Sequence, residues 1–103
     1  MIKIQINKTN NKYSSLIVSG HSNYDEHGQD IVCAGVSAIV TGGLNALAIE
    51  NKNMISYRVE DGYVNVDVLD ITNDNIQLIM DVIVIQLKTI EESYKKYIKI
   101  SEK

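Results

Sequence analysis

Isoleucines at positions 2, 4 and 6 alternate with Lys3 and Gln5, the period-two pattern of a strand that buries one face. The polar stretch from Lys8 to Ser15 contains Asn10-Asn11, residues that tolerate a tight turn, and Leu16-Ile17-Val18 reads as the returning strand. Gly20 to Gln29 is polar and bounded by glycines, which predicts a loop, and a long one for its position. From Asp30 to about Ile49 the residues turn small and apolar, predicting a buried helix with Asp30 as its N-cap. Gly35, Gly42 and Gly43 each weaken such a helix by about 1 kcal/mol relative to alanine, so they are read as permitting close packing.

Met54 to Val59 and Tyr63 to Leu69 flank Glu60-Asp61-Gly62, and Val64, Val66 and Val68 alternate with Asn65 and Asp67. This predicts a half-buried hairpin turning at Asp61-Gly62. Beyond Thr72-Asn73, Ile76, Ile79, Met80, Ile83, Leu87, Ile90, Tyr94 and Tyr97 recur at steps of three and four, the stripe of an amphipathic helix. The expected fold is therefore α+β: a two-layer sandwich in the order ββαββα, with a mainly antiparallel four-stranded sheet and two helices.

With 103 residues, 45% of them hydrophobic and 22% charged, the chain is expected to form a single domain over residues 1–103. Its lone cysteine cannot form an internal disulfide, which points to a reducing, cytoplasmic setting. The alternating N-terminus does not read as a signal peptide. The apolar clusters Leu78 to Met80 and Val82 to Ile85 fall far short of the ~18 consecutive apolar residues of a membrane span. A net charge of -3 with 10 basic residues argues against broad nucleic-acid binding, which needs clustered Lys and Arg, and leaves room for a basic protein partner. No membrane or direct nucleic-acid partner is expected.

Reactive residue types concentrate between Gly20 and Ser37. With Asp30 as cap, Cys33 is the third helical residue, where free backbone N–H groups and the helix dipole stabilise a thiolate, although the Asp30 charge opposes this. Cys33 reads equally well as a small buried hydrophobe. His21 precedes it by twelve residues at the end of the second strand, beside which the following helix can bring back its N-terminus. There the imidazole would take the thiol proton and return it to a leaving amine; otherwise His21 is a loop histidine without a role. Ser37 lies one turn beyond Cys33, either offering its hydroxyl to the imidazole or substrate or serving as a small packing residue. A zinc site drawn from His21, His27, Cys33 and a carboxylate is the competing chemistry, but its spacing fits no common pattern. No metal or cofactor is expected.

Gly20-His21-Ser22, then Gly28, then Asp30-Ile31-Val32-Cys33-Ala34-Gly35-Val36-Ser37-Ala38 resembles the signature of the ribosomal-processing cysteine protease family Prp. The hairpin and Gln86 to Glu92 are also similar to that family, so the resemblance spans nearly the whole chain. It implies a cysteine endopeptidase that removes the N-terminal extension of large-subunit ribosomal protein twenty-seven, with His21 and Cys33 as the catalytic pair and a homodimeric assembly. Backbone N–H groups near Cys33 and Ala34 are then the expected oxyanion donors, and Asp30 is preferred over Asp25 and Glu26 as a third member, with a plain helix cap an equally good reading of it. Ser22 to Gln29, hinged by Gly20 and Gly28, becomes a mobile substrate loop. In it Tyr24 reads first as a solvated loop residue and second as a contact for an apolar substrate side chain, and Asp25 and Glu26 read as a solvated turn or as attraction for a basic tail. A non-catalytic ribosome-assembly adaptor that binds a basic ribosomal protein is the alternative function.

Overall fold

The computed structural model describes residues 1–20, 27–51 and 53–103, the side chains of 27–30 and 51 excepted. Strand β1 (Ile2–Thr9) turns through Asn10-Asn11 into β2 (Lys12–Ser19). Both turn residues have positive φ, 53° and 64°, the left-handed conformation that asparagine tolerates and that suits a two-residue hairpin. Helix α1 (His27–Asn51) follows, then the hairpin β3 (Ile55–Glu60) and β4 (Tyr63–Val68), helix α2 (Asp74–Ser93) and strand β5 (Ile98–Glu102).

The five strands form one sheet in the order β3-β4-β2-β1-β5, in which β1 and β5 run parallel and the other neighbours antiparallel. The observed order is thus ββαββαβ, and the expected four-stranded, ββαββα sheet is corrected by a fifth strand at the edge. The error lies at Tyr94, where the spacing of Tyr94 and Tyr97 continues the helical stripe by number alone. The helix stops at Ser93: Tyr94 has φ -135° and ψ 44°, and its N–H closes the last turn on Ile90 and Glu91. Neither glycine nor proline marks the stop. Ile98 and Ile100 then alternate at period two, and the Glu91 carboxylate accepts a 2.7 Å hydrogen bond from the Ile100 N–H, tying β5 back to α2.

One face of the sheet is apolar and carries both helices. Ile2, Ile4 and Ile6 of β1, Leu16 and Val18 of β2, Val66 and Val68 of β4 and Ile98 of β5 meet Val32, Val36, Val40 and Leu47 of α1 and Ile76, Met80, Ile83, Val84 and Leu87 of α2 in one core. The opposite face is polar, with side-chain hydrogen bonds from Gln5 to Asn7, Asn7 to Ser15 and Asn65 to Asp67. By length and composition alone the Ile31–Glu50 segment of α1, of mean hydropathy 1.8, is long and apolar enough to cross a membrane.

Where α1 crosses α2, a Cβ added to Gly43 would come within 2.5 Å of Ile83 Cδ1, whereas one on Gly42 would meet nothing. Gly43→Ala is therefore expected to destabilise the fold by about 1–3 kcal/mol through overpacking. Gly42→Ala is expected to stabilise it by about 0.5–1 kcal/mol. Denaturant midpoints of the two variants, one residue apart, check both signs.

A second tie joins β2 to α2. The Tyr13 backbone exchanges two hydrogen bonds with the Gln77 side chain, and the Tyr13 hydroxyl donates to Asp81 at 2.7 Å. Burial, then the hydrogen bond and the charge of Asp81, push the Tyr13 pKa up to about 12 from the ordinary 10. The folded state holds this proton more tightly than the unfolded chain, so the stabilisation is complete below pH ~10 and is lost as pH rises towards ~12. Tyr13→Phe should cost about 1 kcal/mol at neutral pH. In urea unfolding across a pH series, that difference should shrink between pH ~10 and ~12.

Candidate active site

Beta-sheet and α1 diverge at the end of the molecule where β2 finishes, leaving a cavity of about 290 Å³. One wall is the α1 face carrying Cys33, Ser37 and Thr41, at steps of four, with Val36 and Val40 beneath. The other wall is the β3–β4 hairpin end, Glu60 to Val64. Ile2, Val18 and Gly20 complete it from the sheet.

Helical periodicity explains the first wall. Residues four apart share a face, so the apolar pattern that buries Val32, Val36 and Val40 turns Cys33, Ser37 and Thr41 toward the rim. Cys33 is half-buried and packs against the core, while Ser37 and Thr41 are exposed. Cys33 so placed lines the cavity and is backed by apolar surface.

The second wall depends on Gly20. Its φ of 93° suits glycine, and a Cβ there would run into the Met1 carbonyl oxygen. Its N–H donates to the Gly62 carbonyl at 3.0 Å, fastening the end of β2 to the turn of the neighbouring hairpin. At the rim, Glu60 is paired with Arg58 at 3.0 Å. Asp61, at the tip, is in no ion pair among the described residues.

The start of α1 departs from the sequence reading. The helix begins at His27, so Asp30 lies inside it and is not its N-cap. Once packing holds the apolar part, each residue added upstream gains a hydrogen bond for the dihedrals it fixes, so the helix propagates past the expected cap. Cys33 is consequently the seventh helical residue, not the third, and its N–H and that of Ala34 fall to the carbonyls four residues back. Those two N–H groups are corrected as free oxyanion donors, and Ala34 is exposed outside the cavity lining. Gly28 is also helical, within α1 and not in a loop.

His21, Ser22, Tyr24, Asp25 and Glu26 lie outside the described residues, as do the side chains of His27 and Asp30. The zinc set that includes His21 and His27 falls there too. Among the described residues no three His, Cys, Asp or Glu side chains are grouped to hold a metal ion. Cys33, Ser37 and Gly20 are thus brought to one cavity, and sequence reasoning missed Thr41 and the hairpin wall. The step of four from Ser37 would have found Thr41; nothing local to Glu60–Tyr63 announces that it faces a cysteine far back in the chain.

A family model for the cysteine protease Prp matches residues 1–99. The ribosomal processing cysteine protease Prp of Staphylococcus aureus is 36% identical over 94 residues, covering 89% of each chain. That of Bacillus subtilis is 31% identical over 108 residues, covering 98% of this chain and 96% of its own. A crystal structure of the S. aureus protease with a substrate peptide superposes with a TM-score of 0.92 at 33% identity, over the whole of both chains. Another, with a covalently linked product peptide, gives 0.90 at 34% identity.

Proposed function

Because the chain belongs to the Prp cysteine protease family, we propose that Cys33 is its nucleophile, that His21 is the base, and that its substrate is the N-terminal extension of large-subunit ribosomal protein twenty-seven. The observation that carries this reading is the half-buried Cys33 lining a cavity bounded by a hairpin. His21 follows Gly20, a cavity-lining residue, directly in the chain.

In the first half-reaction His21 takes the Cys33 proton, sulfur attacks the scissile carbonyl, and the C–N bond breaks as the proton passes to the departing amine. Water then attacks the thioester with His21 again as base, breaking the C–S bond and releasing the new carboxylate. The covalently linked product peptide in the S. aureus relative supports a covalent route. With the Cys33 and Ala34 N–H groups engaged in the helix, the Ser37 hydroxyl, one turn further along the same wall, is the donor assigned to the oxyanion. Asp30 as a partner that orients His21, and residues 22–26 as a substrate loop, belong to the same proposal.

A cytoplasmic homodimer completes it. The exposed face of α1 away from the cavity presents Ile31, Ala34, Ala38 and Ile49, and residues 31–49 contain no charged side chain; burial against a second copy accounts for such a surface. The acidic rim at Asp61 suits a basic ribosomal protein. Incubation with a peptide spanning the extension, followed by mass spectrometry, tests the reading: one cut, blocked by prior alkylation of Cys33, is expected. An alkylated protein that still cuts would overturn it.

A further inference from the structure

The edge strand β3 is open. It pairs with β4 on one side only, and no described strand lies on its other side. Residues 61 and 62 form a two-residue turn, so Glu60 and Tyr63 close the hairpin, and hydrogen-bonded pairs recur at every second position behind them. The 2.8 Å bond from the Leu69 N–H to the Met54 carbonyl keeps that phase. The backbone groups of Met54, Ser56, Arg58 and Glu60 therefore face β4, whereas those of Ile55, Tyr57 and Val59 face outward.

The side chains of Tyr57 and Val59 stand on the same sheet face as the core, because their partners are Val66 and Val64. Yet α1 leaves both 56% exposed. Edge strands are commonly blunted by charge, but the two charges of β3, Arg58 and Glu60, lie on the opposite face and pair with each other. The result is a short open edge whose free N–H and C=O groups and apolar side chains belong to the same residues. Its last residue and the turn beyond it wall the cavity that Cys33 lines.

We infer that β3 is the docking strand for the substrate: an extended peptide pairs with the outward backbone groups of Tyr57 and Val59 and sets an apolar side chain on them at every second residue. This rests on the protease reading and adds the form in which substrate is recognised. Strand addition gives affinity through main-chain bonds and specificity through alternate side chains. Continuity with the cavity favours a substrate over a second copy of the chain, since a segment running along β3 is led past Glu60 and Asp61 to the thiol.

The test is a set of peptides carrying the ribosomal-protein extension, each with a single backbone N-methyl group at a non-scissile position. Expected is a KM that rises ~10-fold or more at alternate positions, with little change between them and in kcat, each lost bond being worth about tenfold. Val59→Pro, which removes an outward N–H and no ladder bond, should raise KM similarly with an unchanged thermal midpoint, while Lys3→Ala on the far face should leave KM as it was. A flat N-methyl profile on a peptide that is cleaved overturns the docking strand alone. Conversion of a dimer to a monomer by Val59→Pro, with KM unchanged, assigns the edge to a second copy and also overturns it. Failure to cleave the unmodified peptide removes the substrate reading and this inference together.

Discussion

Cys33→Ala is expected to lower peptide turnover about ten-thousand-fold or more while leaving peptide affinity within a few-fold. The nucleophile makes its bond only after substrate is seated, so its loss falls on kcat; the cavity walls remain. Stability should change by only about 1 kcal/mol, because the substitution removes one sulfur from a half-buried site. His21→Ala should fall by a comparable factor, since a thiol without its base and acid loses both half-reactions, and the double variant should be little worse than either alone. Single-turnover cleavage and peptide binding by fluorescence anisotropy, measured on the same preparations, separate the two effects. Cleavage by Cys33→Ala at even a tenth of the wild-type rate would remove the thiol from the mechanism.

Gly20→Ala should be the most damaging single-methyl change in the chain. At φ 93° a side chain already costs about 1–2 kcal/mol, and the added carbon meets a backbone oxygen of Met1, which cannot rotate away. Moving the segment aside breaks the Gly20 to Gly62 hydrogen bond, adding about 1 kcal/mol. A total near ~3 kcal/mol corresponds to a thermal midpoint lowered by roughly 10–20 °C for a chain of this size. Gly62, with φ 70°, is the contrast: Gly62→Asn, a residue that tolerates this conformation, should be close to neutral. Calorimetry of the two variants distinguishes a clash at a strand end from the general cost of positive φ. Equal shifts would show that the Met1 contact carries no weight.

Local chemistry made much of the fold legible. Ile2, Ile4 and Ile6 announce a strand by alternation, Asn10-Asn11 and Asp61-Gly62 announce turns, and the stripe beyond Thr72-Asn73 announces α2, whose cap proves to be Asn73, its side chain accepting from the Ile76 N–H. Features that depend on distant partners were not legible. Strand β5 exists because β1 offers an edge ninety-odd residues away in the chain, and no residue between Ser93 and Ile98 says so. The candidate site divides along the same line. Cys33 and Ser37 share a helical face, readable from spacing, whereas the facing hairpin is brought to them only by the sheet order. The start of α1 failed for another reason: Asp30 has the chemistry of a cap, but helix propagation extends through it.

The parallel pairing of β5 with β1 also reaches the cavity. Ile2 donates to Tyr97 and pairs with Ile98, and the same Ile2 lines the cavity with Cys33. The hairpin with β2 can form first, but the outer edge of β1, with the Ile2 N–H that reaches Tyr97, is completed only by residues 97–102, a contact of very long sequence separation and so a late one in folding. The cavity wall at Ile2 thus leans on the two strands of the sheet most distant in the chain, and a loosened β5 is expected to be felt at the site as well as at the edge.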